Sequence, residues 1–260
     1  MSLLSTPKLE TLLPKIKNIV DTYIIPLEQN YLQYNFSKVK PKLEVVRNLV
    51  KKEGLWNPHL SAAHGGLDLS LVEFGQISEV LGQSPYGHYC FNCNAPDIGN
   101  QELLLGHASD FLKSTFLQPL VDGKIRSCFS MTEPEFAGSN PKEMGTTAVK
   151  KGDYYIINGH KWFTSSADGA SFAVVMANTN PDAENPYQRA SMIIVPTDTK
   201  GFKLMRNIPV MGEVNDDYFS HGEISYTNCK VPVKNLIGEE GKGFILAQQR
   251  LGPGRIHHCM

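Results

Sequence analysis

The spacing of apolar residues changes twice along this sequence, and that change limits the folds open to it. Up to about residue 123 the apolar residues recur every three or four positions, which is the period of an α-helix. From about residue 124 they come in short runs between turn residues, which is typical of strands. The helical period returns after Gly241. The pattern predicts an α+β chain with a helical first part, a small sandwich or barrel in the middle and a helix at the end.

Three segments carry the helical prediction. In the first, four apolar residues fall at i, i+4, i+7 and i+11: Val39, Leu43, Val46 and Val50. Gly54 follows where a C-terminal cap belongs. The second segment begins after Ser70, with Glu73 at the position of a capping box. The third covers residues 103–116 and is expected to end near Pro119 and the Asp122-Gly123 turn.

Strand signals dominate the middle of the chain. A hairpin is predicted around Lys151-Gly152-Asp153, with strands at Thr146–Val149 and Tyr154–Ile157. Asn158-Gly159 is a further tight-turn signal. Four more strands follow: Ser171–Ala177, Ala190–Pro196, Gly201–Met205 and Gly222–Tyr226.

Composition excludes several classes of protein. Lys and Arg number 25 against 26 Asp and Glu, a net charge of −1, so the basic surface of a nucleic-acid-binding protein is not expected. No apolar run approaches the ~18 residues of a transmembrane helix, and no secretory signal is visible. The five cysteines, an odd number spread along the chain, favour a reducing compartment without a disulfide framework.

Two polar segments are the strongest candidates for chemistry. Residues 128–140 read Cys-Phe-Ser-Met-Thr-Glu-Pro-Glu-Phe-Ala-Gly-Ser-Asn, a strand end followed by a loop of small residues whose N–H groups could bind a phosphate or a polar cofactor edge. Residues 157–166 set Trp162 and Phe163 beside several hydroxyls, which suits a planar ring with a polar edge. Taken singly, each segment is better explained without a ligand, as an ordinary strand-to-loop turn and as aromatic residues of a barrel core.

Together the two segments resemble the acyl-CoA dehydrogenase family, and the resemblance extends over the whole chain. The family's order is present: a helical first part, Met-Thr-Glu-Pro at 131–134, Ile-Ile-Asn-Gly-His-Lys-Trp-Phe-Thr-Ser-Ser at 156–166, and Asn-Cys-Lys-Val-Pro-Val-Lys-Asn-Leu-Ile-Gly-Glu-Glu-Gly-Lys-Gly-Phe at 228–244. The tail at 250–260 looks most like the branch that includes the kinase-fused animal enzymes and similar bacterial ones. The resemblance implies an all-α N-terminal domain at 1–123, a β-barrel middle domain at 124–237, and at 238–260 the first helix of a truncated C-terminal helical bundle.

The resemblance also implies FAD as the cofactor and matches a set of residues to its site: Phe129, Met131, Thr132, Gly138, Ser139, Trp162, Phe163 and Ser165. In the family, the hydroxyl matching Thr132 meets the polar edge of the flavin and the aromatic matching Phe163 backs its ring. Ser139 and Arg250 are matched to the acyl-CoA side. The family loop usually reads Glu-Pro-Gly-Ala-Gly-Ser, and Glu135 with Phe136 make it one residue longer here.

The implied reaction is the α,β-dehydrogenation of an acyl-CoA thioester to the trans-2-enoyl-CoA, with electrons passed to an electron-transfer flavoprotein. A carboxylate removes the α-proton while the β-hydride leaves for the flavin. In most members that base is a late Glu, expected beyond residue 260, and in a minority it lies at the position of Gln249, whose amide cannot act as a base. Asp216 and Asp217 are the other carboxylates considered, with a solvated loop as their alternative explanation. The expected assembly is a homodimer or homotetramer, cytoplasmic in a bacterium and mitochondrial or peroxisomal in a eukaryote.

Two other readings stay open. The chain could be a non-catalytic remnant that binds acyl-CoA or a partner, if residue 260 is the natural end, or a flavin oxidase or monooxygenase on the same scaffold. No metal site is expected, because Cys90-x-x-Cys93 lacks a second pair and His257-His258 with His221 lacks the helical spacing of metal ligands. Residues 238–243 match neither a P-loop nor a dinucleotide-binding fingerprint.

Overall fold

Helices precede strands along the chain, in the order that the apolar spacing predicts. A computed structural model describes residues 5–31, 35–257 and 259. The chain divides into two units, residues 1–98 with 254–260 and residues 99–253, and each is treated by itself below. The boundaries expected at 123 and 237 stay a prediction. His258, half of the His257-His258 pair, lies outside the described residues.

The first unit is helical. Its helices are α1 (Pro7–Ile19), α2 (Glu28–Tyr31), α3 (Phe36–Lys52), α4 (Leu71–Leu81) and α5 (Gly87–Cys90). The predicted stripe of α3 is buried, and Gly54 follows the helix with a φ of +68°, as a C-terminal cap requires. The capping box of α4 is confirmed: Ser70 accepts a hydrogen bond from the Glu73 amide, and the Glu73 carboxylate accepts one from the Ser70 amide at 2.8 Å. Cys90 and Cys93 are buried free thiols, and burial raises the pKa of Cys90 to about 12.

Four helices continue the chain: α6 (Asp97–His107), α7 (Asp110–Leu112), α8 (Gln118–Val121) and, after the strands, α9 (Gly243–His257). The third predicted helix is therefore not continuous, because Ser109 caps a new start at α7. Pro119 itself does not end it, since it lies in the first turn of α8, where a missing N–H is tolerated, whereas the predicted stop at the Asp122-Gly123 turn is confirmed. The end comes at Gly123, with a φ of +67°.

The second unit is built on an eight-stranded sheet. Its strands are β1 (Ser127–Ser130), β2 (Thr147–Lys151), β3 (Tyr154–Ser165), β4 (Phe172–Asn178), β5 (Ala190–Pro196), β6 (Phe202–Asn207), β7 (His221–Pro232) and β8 (Leu236–Ile237). The order is β6-β7-β3-β2-β4-β5-β8, with β1 parallel to β4. The predicted hairpin is confirmed as the antiparallel pair β2–β3.

The sheet curls around one core and packs its outer face on helices. Side chains from opposite ends of the sheet meet in one inner cluster, among them Val175 of β4, Ile193 of β5 and Ile224 of β7. On the other face Val174 and Ile194 pack with residues of α6, α8 and α9. Strands β4 and β5 are therefore buried on both faces, which explains their unbroken apolar runs.

The turn expected at Asn158-Gly159 is wrong. Both residues lie inside β3, where the register with β7 shifts between Ile157 and Gly159 as a β-bulge. A Cβ on Gly159 would lie 2.1 Å from Thr146 Oγ1, so glycine serves here for close approach to a neighbouring segment and not for a chain reversal.

None of the helices in the described ranges has both the length and the apolar character needed to cross a bilayer.

Candidate functional site

The end of β1 and the middle of β3 lie side by side. The Trp162 amide donates a hydrogen bond to the Thr132 carbonyl at 3.0 Å. Lys161 Nζ donates to the Met131 carbonyl at 2.8 Å. The two segments that the sequence singled out separately are therefore adjacent in the structure.

A buried ion pair fixes this junction. Lys161 Nζ lies 2.8 Å from Glu133 Oε1, and the two side chains are 0% and 3% exposed. The Glu133 carboxylate also accepts hydrogen bonds from the amides of Gly145, at 2.5 Å, and Thr146, at 3.0 Å. These contacts therefore tie Glu133, the residue after Thr132, to β3 and to the segment just before β2.

The pKa values of the pair reflect its burial. Burial opposes the charged carboxylate, but the Lys161 ammonium and the hydrogen bonds outweigh it, so the pKa of Glu133 is lowered. Burial lowers the pKa of Lys161 to about 8, although Glu133 acts in the opposite direction. Sequence reasoning assigned neither residue a role. The available signal was a lysine directly before two aromatic residues, Trp162 and Phe163, in a strand.

A second bulge in β3 brings an aromatic ring to the surface. The register with β7 shifts between Lys161 and Thr164, and Phe163 between them has a φ of +47°. The Phe163 side chain is 46% exposed, and its ring lies 5.0 Å from that of Trp162 at 64°. The alternative that Phe163 belongs to the barrel core is therefore wrong. An exposed aromatic on strained backbone is a feature of binding sites.

Thr132 is bonded through its backbone to Trp162, the residue before Phe163. Its side chain is half-buried, and its hydroxyl makes no hydrogen bond within the described part of the chain. Gly138 lets the following loop approach, because a Cβ there would lie 2.8 Å from Thr132 Cγ2. A cavity of about 10 Å³ lies between this strand end and the loop, room for roughly one water molecule. Ser139 is exposed.

The remaining matched residues already have partners in the protein. Ser165 Oγ lies 3.0 Å from His221 Nδ1, and burial lowers the pKa of that histidine. The Arg250 guanidinium lies 3.9 Å from the centre of the Phe129 ring. Its Nε donates to Asn100 Oδ1 at 2.9 Å, so Arg250 is held against β1.

The carboxylates considered as the catalytic base have other partners in the structure. Asp217 Oδ1 lies 2.5 Å from Arg126 Nη2 in a pair whose side chains are 14% and 8% exposed. The Asp217 amide donates to Asp168 Oδ2 at 3.1 Å. This network gives Asp217 a structural function. Asp216 precedes it as the N-cap of a short 3₁₀ turn, and Gln249 is exposed on α9.

A helical region followed by a curled eight-stranded sheet is the architecture of the acyl-CoA dehydrogenase-like proteins. Comparison with known proteins agrees. Residues 128–229 match the family model "Acyl-CoA dehydrogenase, middle domain". The chain is 39% identical to acyl-CoA dehydrogenase family member 11 of Gallus gallus over 96% of its own length, and 46% identical to acyl-CoA dehydrogenase FadE2 of Mycobacterium tuberculosis over 85%.

A solved structure described as an acyl-CoA dehydrogenase of Mycobacterium abscessus is 35% identical, with a TM-score of 0.90 over 97% of this chain. The chain belongs to the acyl-CoA dehydrogenase family. It spans 33% of the Gallus gallus protein, 53% of the Mycobacterium tuberculosis protein and 65% of the solved chain.

Proposed function

We propose that this chain provides part of the FAD site of an acyl-CoA dehydrogenase that oxidises an acyl-CoA thioester to the trans-2-enoyl-CoA. The observation that carries the proposal is the junction of β1 and β3. The backbone bond from the Trp162 amide joins Thr132, whose hydroxyl makes no hydrogen bond among the described residues, to the residue before the exposed Phe163. A flavin needs both, since its ring is planar and apolar on its faces and polar along one edge.

Each residue has a definite task in this proposal. Phe163, with Trp162 behind it, supplies an apolar surface for the ring, and Thr132 donates its hydroxyl proton to the polar edge. The ion pair of Glu133 and Lys161 holds Thr132 in place. When bound, FAD would accept the hydride that leaves the β-carbon of the substrate.

The rest of the predicted site is proposed on the family resemblance. Gly138 and Ser139 would border the cofactor and the acyl-CoA entrance, Phe129, Met131 and Ser165 would line the ring, and Arg250 would lie on the substrate side. Electron-transfer flavoprotein is the proposed electron acceptor, and the proposed assembly is a homodimer or homotetramer. Asp217 is not proposed as the base, because Arg126 occupies its carboxylate.

Equilibrium titration with FAD, followed by quenching of tryptophan fluorescence, tests the proposal. We expect saturable binding, weakened by Thr132→Val by roughly 1–3 kcal/mol because a buried polar edge loses its donor. We expect Phe163→Ala to weaken binding about tenfold. Phe111→Ala removes another partly exposed phenylalanine and should leave FAD binding unchanged. Equal FAD affinity of the Phe163→Ala and Phe111→Ala variants would contradict the assignment.

The reaction itself is tested by adding acyl-CoA thioesters anaerobically to the FAD-loaded protein. The 260 residues by themselves should not bleach the flavin, because no base for the α-proton is proposed among them. Loss of the oxidised-flavin absorbance with formation of enoyl-CoA is expected when the family's late Glu is also present, since removal of the α-proton must accompany hydride transfer. Reduced flavin that consumes oxygen rapidly would instead favour an oxidase.

A further inference from the structure

His160 lies between two carboxylates. Its Nδ1 is 2.9 Å from Glu135 Oε1 and its Nε2 is 2.9 Å from Glu223 Oε1. An ionised carboxylate can only accept hydrogen bonds, so both ring nitrogens must carry a proton for both contacts to form. The geometry therefore requires the imidazolium form of His160.

The two carboxylates are held with unequal strength. Glu223 is on β7, its side chain is 12% exposed, and Arg206 Nε of β6 donates to its other oxygen at 2.6 Å. Glu135 is 56% exposed, and in the described part of the chain its carboxylate contacts His160 alone. If the imidazole ring loses a proton, one of its nitrogens becomes a hydrogen-bond acceptor opposite a carboxylate oxygen, which is also an acceptor, and that hydrogen bond is lost. We expect the lost bond to be the one to Glu135, because Glu223 is held by Arg206 as well.

Glu135 lies on the loop that leads to the proposed cofactor site. This loop, residues 134–139, is called the Glu135 loop below. Residues 135–139 are all exposed. Its anchors are Glu133 at one end, through the ion pair with Lys161, and the bond from Glu135 to His160. Gly138 and Ser139 lie just beyond the second anchor.

We propose that His160 is a positioning residue whose imidazolium form ties the Glu135 loop to β3 and thereby holds Gly138 and Ser139 in place for the cofactor. The part that concerns the cofactor rests on the proposed function. The part that concerns the bond between the Glu135 loop and β3 does not depend on the proposed function.

The charges around His160 set the pH at which this tie is lost. The groups that face it are Glu135 of the loop and Glu223 of β7, with Arg206 of β6 behind Glu223, and Lys203 of β6 is opposite Ser225, the β7 partner of His160. Burial lowers the pKa of His160, but the two carboxylates outweigh it and the pKa is raised above 6.5. Because the folded pKa is the higher one, the tie is complete below pH 6.5 and is lost as the pH rises through the folded value.

Hydrogen exchange of the 260-residue chain tests the tie without any cofactor. The protection factor of the Asn140 amide, which donates to the Ala137 carbonyl of the Glu135 loop at 2.9 Å, is compared between about pH 6 and about pH 9. In the wild type we expect a fall of roughly twofold to fivefold, since exposed ion pairs are weak. Glu135→Gln should show low protection at both pH values. His160→Arg, which keeps its charge throughout, should show high protection at both.

His64→Gln is the matched control, because it removes an exposed histidine of the first unit and should leave the pH dependence unchanged. Nitrogen-15 NMR of the ring should show both His160 nitrogens protonated near neutral pH. A neutral ring there, or protection in the wild type that equals that of Glu135→Gln at both pH values, would overturn the proposal.

The FAD titration separates this proposal from the proposed function. We expect the dissociation constant for FAD to rise with pH in the wild type and to stay flat in His160→Arg. If FAD does not bind at all, the proposed function fails while the exchange experiment still decides on the tie. If FAD binds with an affinity independent of pH although the tie is lost, the link to the cofactor is overturned.

Discussion

Thr132 has a defined position because the neighbouring Glu133 is held in a buried ion pair with Lys161. Glu133 is buried with Lys161, and each charge would be costly to bury without the other. The pair joins the segment that follows β1 to β3, which is distant in sequence, so it fixes the position of Thr132 relative to β3. At the scale of single residues, the candidate site is therefore positioned by side chains that are themselves buried.

We expect Lys161→Met to lower the free energy of unfolding by about 3–5 kcal/mol, because it leaves Glu133 buried without a counter-charge. The double variant Glu133→Gln, Lys161→Met should lose less, since no charge then stays buried. Urea denaturation of the wild type, the single variant and the double variant measures both values. A cost of Lys161→Met below about 1 kcal/mol would show that the carboxylate does not depend on Lys161.

Phe163 provides a second test at this scale. Its φ of +47° is unfavourable for a bulky residue and acceptable for glycine. Phe163→Gly should therefore be at least as stable as Phe163→Ala, although glycine in a strand is normally worse than alanine by about 0.5–1 kcal/mol. Thermal denaturation gives the comparison. Both variants should bind FAD weakly, so a normal FAD affinity of Phe163→Gly would separate the backbone strain from binding.

At the scale of elements, β3 combines two bulges with long pairing to β7. The first bulge brings Gly159 against Thr146, and the second turns Phe163 outward. A bulge changes the direction of side chains without ending the strand. One strand can therefore contribute Ile157 to the core and Phe163 to the surface.

Two glycine-to-alanine substitutions should have opposite effects on stability. Gly159→Ala places a Cβ against the stiff, fully buried Thr146 and is expected to cost about 1–3 kcal/mol. Gly106→Ala adds a methyl group in open space near the end of α6 and should stabilise by about 0.5–1 kcal/mol. Chemical denaturation of both variants measures the difference. A neutral Gly159→Ala would contradict the close approach.

At the scale of the whole molecule, buried charge makes stability depend on pH. The pKa of Glu133 is lowered from 4.5 in the folded chain, so the unfolded chain binds the proton more readily. Its contribution is present above pH 4.5 and is lost as the pH falls through the lower, folded value. The urea midpoint should therefore decrease in acid, and it should decrease less in Glu133→Gln. An identical acid profile in the two proteins would contradict the assignment.

Several helices and strands could be predicted from the sequence. Helix α3, the capping box of α4 and the β2–β3 hairpin depend on local periodicity, capping and turn residues, and all three are confirmed. The two polar segments of the candidate site were also recognisable from their residues.

How these helices, strands and polar segments are joined depends on contacts between residues that are distant in sequence. Asn158-Gly159 is a turn signal on its own, and pairing of β3 with β7 made it a bulge. The partners of Lys161 and His160 could not be predicted, because each charge is satisfied by residues far away in sequence. Local propensity depends on neighbours along the chain, whereas burial and ion pairing depend on neighbours in space.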